Sequence, residues 1–251
     1  MSVSNPELAR IAELDEAELA RPWAWRGGKI DFHYALYNAL EEAQAAQVRA
    51  SAAPHPESRR ILSLAQRAFG DLQGLLVGLD PALLEAPPRA GEWPVGETLR
   101  HLEIVERRYA IQTLYAVERA DADPVRISAD RMPPIAPGQA GADLDALLAK
   151  LGEARAETDR RLGDVAPAAM TRPTIWVHWE IDVRFRLHRF ASHLVEHTVQ
   201  CEKTLQALGR RQTEGRRILR RITAVLGELE GLGAGAEARA IEARLAEVSH
   251  M

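Results

Sequence analysis

RLHRFASHLVEHTVQCEKTL, residues 186–205, is the stretch on which the reading of the fold turns. Leu187, Phe190, Leu194, Cys201 and Leu205 recur three, four or seven apart, and Val183 and Leu208 extend the pattern at either end. That spacing marks one apolar face of a long α-helix. His193 and His197 are four apart, so they stand on the same face. Gly209 lies where such a helix would be capped. Moving outward, the 14 prolines fall in clusters, none beyond Pro173, and they leave four proline-free windows: 57–79, 95–120, 141–164 and 180–208. Each carries apolar residues at helical spacing, as Ile61, Leu62, Ala65, Phe69, Leu72, Leu75 and Leu76 do in the first. At 1.5 Å per residue, the windows predict rods long enough for a four-helix bundle.

The connections have loop chemistry. Residues 80–94 hold Pro81, Pro87, Pro88, Gly91 and Pro94, and 121–140 hold Pro124, Pro133, Pro134, Pro137 and Gly138. A third, 165–179, ends in Trp176, His178 and Trp179 and is read as a loop. Further helices are expected over 31–50, 214–231 and 236–248, the last two divided by Gly231, Gly233 and Gly235. The composition agrees with an all-α fold: Val, Ile and Thr together supply 35 of 251 residues, while Ala, Leu, Arg and Glu dominate.

The ends of the chain echo its middle. ESRRILSLAQRAFGDLQGL (57–75) and EGRRILRRITAVLGELEGL (214–232) match at 9 of 19 positions without a gap. Trp25 and His33 are spaced as Trp93 and His101 are, which pairs the N-terminus with the loop and second helix of the bundle. The expected organisation is an N-terminal helical extension (1–56), the bundle (57–209) and a C-terminal helical extension (210–251). The two extensions would pack together as a partial copy lacking metal ligands, against their own bundle or in a homodimer.

His101 lies in the second window, flanked by Leu99, Leu102 and Val105. A His-x-x-x-His pair alone is common on helix surfaces. Three imidazoles among apolar neighbours are another matter, because each needs a hydrogen-bond partner once buried. A divalent metal satisfies all three and keeps a position open for water or substrate, as catalytic sites do.

GEWPVGETLRHLEIVERRY (91–109) followed by RLHRFASHLVEHTVQCEKTL (186–205) resembles the DinB-like family of four-helix-bundle metalloproteins. Trp93, His101, His193, His197 and Gln200 stand where that family carries a Trp before the second helix, a His within it and His-x-x-x-His-x-x-Gln in the fourth. The resemblance covers about 57–209 and implies an up-down-down-up-type bundle, with extra helices here at both ends, and a metal held by His101, His193 and His197. The family it resembles includes bacillithiol S-transferases and mycothiol-dependent maleylpyruvate isomerases, and related domains occur in ergothioneine sulfoxide synthases. The expected activity is therefore metal-dependent transfer to or from a low-molecular-weight thiol. A metal-dependent hydrolase and a non-catalytic metal- or ligand-binding protein are the alternatives. Zinc is the first expectation for the metal, with nickel or iron also suited to imidazole.

Around that centre, Gln200 shares the face of the two histidines and could orient a ligand; His178 could shuttle protons; Glu106 could flank the pocket or sit in a salt bridge. Glu196 points away from the face of His197, and Cys201 reads as a packing cysteine. RRQTEGRRILRR (210–221) holds six arginines, but no aromatic residue interleaves and the net charge is −4, so it reads as a solvated face and not a nucleic-acid site. An acidic N-terminus and short apolar runs imply no signal peptide and no membrane span, hence a cytoplasmic protein.

Overall fold

The computed structural model describes residues 3, 5–25, 27–133, 141 and 143–249, with backbone only for 23–25 and 247–249. Pro134, Pro137 and Gly138 of the expected loop lie outside the described residues. In chain order the elements are α1 (Pro6–Glu13), α2 (Glu16–Leu19), β1 (Pro22–Trp25), β2 (Gly28–Asp31), α3 (Phe32–Ser51), α4 (Glu57–Leu76), α5 (Pro81–Leu84), α6 (Val95–Glu118), α7 (Leu144–Leu162), β3 (Pro173–Trp176), β4 (Trp179–Asp182), α8 (Val183–Ala207), α9 (Glu214–Gly231) and α10 (Gly235–Ser249).

The four windows become α4, α6, α7 and α8, and local chemistry sets their ends. Pro56 and Pro94 stand at the N-caps of α4 and α6, where a missing N–H costs nothing. Asp143 and Asp182 cap α7 and α8 by accepting from the N–H groups of Ala146 (2.8 Å) and Phe185 (2.7 Å). Gly209 ends α8 with φ +85°, and the N–H of Arg210 reaches back to the Leu205 carbonyl at 2.9 Å, a Schellman arrangement.

Contacts along the helices fix their directions. Ser58 and Gln66 of α4 bond Gly163 and Asp159 at the far end of α7, so α4 and α7 are antiparallel. Glu57 pairs with Arg184 at 2.6 Å, start against start, so α4 and α8 are parallel. His101 faces His197 and Tyr109 faces Phe190, so α6 runs against α8. Up-down-down-up follows, with α4 between α7 and α8 and α6 between the same two. Leu62, Leu72, Leu102, Leu151, Phe190 and Leu194 fill the interior.

The ends of the chain fold back onto this bundle. α9 lies antiparallel along α4, α3 packs on α9, and α10 packs on α3, α9 and α1. α3 runs one residue further along than expected, over 32–51, and α9 matches its expected span of 214–231.

Three expectations need correction. Residues 173–182 are a β-hairpin, not a loop: four-residue strands are too short for periodicity to reveal. Residues 22–31 form a second hairpin of the same length, so the N-terminus is not a counterpart of the loop before α6. His33 accordingly pairs with Glu214 at 3.1 Å and does not stand in a place like that of His101. The arginine-rich stretch is not simply a solvated face. Arg216 is 1% exposed and donates to the carbonyls of Leu75 (3.1 Å) and Val77 (2.6 Å), while Arg220 holds Asp71 with both arms at 2.9 Å. Half of that basic run ties α9 to α4 and to its own neighbours. Among the described residues, no helix is long and apolar enough to cross a membrane.

Candidate metal centre

α6 and α8 bring His101, His193 and His197 together, with one ring nitrogen from each inside a span of 4.8 Å. His193 and His197 meet through their Nε2 atoms at 3.1 Å, and their ring centroids are 4.5 Å apart. The His101 ring lies 5.3 Å from that of His193 and 4.8 Å from that of His197. The helix explains this closeness: positions four apart rise one above the other, and α6 crosses opposite them.

Gln200, one turn on, sets the tautomer. Its Oε1 lies 2.7 Å from His197 Nδ1, and an amide oxygen can only accept, so this contact favours the tautomer with the proton on Nδ1. Nε2 of His197 is then a bare lone pair aimed at Nε2 of His193. Two imidazole nitrogens bonded at about 2.0–2.1 Å to a tetrahedral ion would stand about 3.3–3.4 Å apart. The 3.1 Å separation therefore fits two ligands of one cation, and the Gln200 contact is the outer-shell hydrogen bond that metal-ligating histidines need. His193 is driven down to about 3, by burial first and then by His197 and His101. His101 is lowered in the same way, against an opposing pull from Glu196. Burial thus favours the neutral form of His101 and His193, the form that binds metal.

Aromatic residues border the trio. Trp93, just before α6, places its ring 5.1 Å from His101 and is 41% exposed. Tyr109 places its ring 5.5 Å from that of His193, and the Arg186 guanidinium lies 4.6 Å from the centre of the same Tyr109 ring. On the outer side, Trp93 and Gln200 share a cleft of about 770 Å³ with Arg89, Glu92, Glu196 and Lys203. His101 is the half-buried member of the trio.

The other sequence candidates fall elsewhere. Glu106 is buried and turned towards α7, where it accepts from Arg155 (2.6 Å) and Thr158 (2.7 Å); the salt-bridge reading is the one that holds, inside the core and not at the surface. His178 is exposed at the tip of the β3–β4 hairpin, its ring tilted against that of Trp179 with centroids 4.2 Å apart. Cys201 is buried, pushed up to about 12 by burial, and stands outside the histidine group. Glu196 is exposed as the helical phase requires, yet it lies on the rim of the cleft, which residue spacing alone could not show because the far wall comes from 88–93.

The DinB superfamily model matches residues 64–201, more than half of the chain. The chain belongs to the DinB superfamily. The match runs from α4 into α8 and contains all three histidines of this DinB protein. Comparison with curated proteins and with solved structures gives no match.

Proposed function

We propose that this DinB protein is a metal-dependent transferase that uses a low-molecular-weight thiol. The observation that carries the reading is the His193–His197 nitrogen pair, polarised by Gln200 and completed by His101 beside an open cleft. His101, His193 and His197 would hold the ion, with zinc the first choice and nickel or iron alternatives for the same donors. A divalent ion in that place supplies Lewis acidity, which favours the thiolate form of a thiol at neutral pH.

The residues of the chain do the rest. Gln200 fixes the ring of His197, and Trp93 shields one side of His101 from water. Arg89 and Lys203 offer cations along the cleft for an anionic group of the thiol or its partner. In the reaction with an alkyl halide probe, the S–H proton leaves to water, the sulfur pair forms the S–C bond, and halide departs.

Metal content is the first test. Purified protein should carry one equivalent, and a His193→Ala, His197→Ala double variant should carry none. Thiol-dependent turnover of monochlorobimane should be lost with the metal. Ester hydrolysis without any response to thiols would replace the transferase reading by a metal-dependent hydrolase. Metal binding with neither activity would leave a binding protein.

A further inference from the structure

Two ungapped shifts relate the ends of the chain to its middle. A shift of 157 carries α4 onto α9: Glu57, Arg59, Ile61, Leu62, Gly70 and Gly74 become Glu214, Arg216, Ile218, Leu219, Gly227 and Gly231. A shift of 151 carries residues 10–36 onto 161–187, matching Arg21, Pro22, Ile30, Asp31 and Leu36 with Arg172, Pro173, Ile181, Asp182 and Leu187. Chance likeness between Arg- and Leu-rich helices predicts shared letters but not shared partners.

The partners are shared. Arg59 meets Asp164 at 3.1 Å, and the shifted residues Arg216 and Glu13 form an ion pair too. Glu57 meets Arg184 at 2.6 Å, and the shifted Glu214 meets His33 at 3.1 Å. Both hairpins have one register, Pro22 opposite Asp31 and Pro173 opposite Asp182. Both end in an aspartate that caps the next helix three residues on, Asp31 to Tyr34 at 2.8 Å and Asp182 to Phe185 at 2.7 Å. Each ion pair joins a residue moved by one shift to a residue moved by the other, so the two shifts describe a single object. In it α1, α3 and α9 take the places of α7, α8 and α4. α10 takes the place of α6, packing on α3 and α1 as α6 packs on α8 and α7.

We infer that residues 6–51 and 214–249 form a second bundle of the same design, circularly permuted in chain order, which serves as a built-in partner of the first. The seam between them has the reciprocity of a two-fold contact. A methyl group on Gly70 would overlap the Thr223 carbonyl oxygen, and one on Gly227 would overlap the carbonyl oxygen of Gln66, the residue equivalent to Thr223. A methyl on Gly74 would come within 2.9 Å of the Arg220 Cα, and one on Gly231 within 2.7 Å of the Cα of Ser63, the equivalent of Arg220. Contact and counter-contact agree, as they do when two like subunits meet. Here both faces belong to one chain.

The metal position of the second bundle has been converted. The shift of 151 places Glu42 at His193 and Ala46 at His197. Arg244 of α10, the helix in the place of α6, reaches Glu42 at 2.7 Å. Arg49, at the position of Gln200, pairs with Glu237 at 3.0 Å. A guanidinium supplies positive charge where the first bundle gathers metal donors.

The test is a full-length circular permutant running 212–251, then a flexible linker, then 1–211. The linker needs roughly the length of the 119–143 connection that joins α6 to α7. This order writes the two bundles one after the other. It should fold with unchanged helicity, melt within about 5 °C of the natural order and bind the same zinc equivalents; a chain that aggregates or melts without cooperativity overturns the inference, whatever the first site binds. The converted site is tested by Glu42→His, Ala46→His and Arg244→His together in the His193→Ala, His197→Ala background. Zinc titration should rise from none to one equivalent per chain. A folded graft that takes up no zinc overturns the conversion, and a graft that does not fold passes the decision to the permutant.

Discussion

Two polar clusters are buried in the bundle 57–209, and they resolve their charges in opposite ways. Arg155, fully buried, donates to Glu106 at 2.6 Å and to Asp159 at 2.7 Å, and Thr158 and Gln66 supply further hydrogen bonds to the same carboxylates. That cluster pairs its charges internally: each carboxylate meets a guanidinium arm, although Arg155 Nε is left without an acceptor, and burial pushing both carboxyls up is opposed by Arg155. The histidine cluster turns its nitrogens towards one another, Nε2 of His193 against Nε2 of His197 at 3.1 Å, with Gln200 on the Nδ1 edge of His197. The difference separates structural polarity from functional polarity. A group of side chains that pairs its own charges holds a core in register; one whose ring nitrogens converge is compatible with a bound cation.

The largest effect should come from breaking the Arg155 cluster. Arg155→Ala strands the buried Glu106 and Asp159 and should cost about 3–5 kcal/mol, read in a thermal or denaturant melt, with zinc stoichiometry of the folded fraction unchanged. A loss below about 1 kcal/mol would mean that the two clusters do not differ as described. Next comes the response of the histidines to zinc. Saturation at 100 times the dissociation constant should stabilise the wild type by about 2.7 kcal/mol and the His193→Ala, His197→Ala variant not at all; equal increments would place the ion elsewhere. Gln200→Leu should weaken zinc about 10- to 100-fold without abolishing it, as measured by chelator competition. Unaltered affinity would remove Gln200 from the centre.

A further effect is one of pH. In chelated protein, His193 is held near 3 against an ordinary value of 6.5, so the unfolded chain binds a proton that the folded chain refuses. Stability is then full above about pH 6.5 and declines as pH falls towards 3, with a slope near 1.4 kcal/mol per unit for that one proton. Replacing His193 by Ala should flatten the decline over that window, and an unchanged slope would point to other groups.

Much of this was legible from residue spacing, and the failures have physical causes. Proline punctuation located α4, α6, α7 and α8 to within a few residues, since each is long and strongly periodic. The three histidines were legible because burial of imidazole among leucines has few explanations. Glu106 was not: five positions from His101 is about 140° around a helix, so it faces α7 and not the site. The hairpins escaped because Trp176, Val177, His178 and Trp179 offer no alternation long enough to read. Trp25 and His33, eight apart like Trp93 and His101, point to the loop before α6, whereas the shared register and caps of the hairpins 22–31 and 173–182 support the pairing proposed above.

The seam of glycines between α4 and α9 has a consequence for the order in which the protein can be made. Its two sides are separated by 157 positions, so no local search can bring them together. On the ribosome, residues 57–209 emerge whole and can close their own interior, since domains fold as units during synthesis. α1 and α3 emerge first yet must wait for α9 and α10, which come last. During that interval the earliest part of the chain has no finished interior, and the Gly70–Gly74 face of α4 is bare. A nascent chain halted near residue 209 should therefore present protease sites in its first 51 residues that release of the full protein erases.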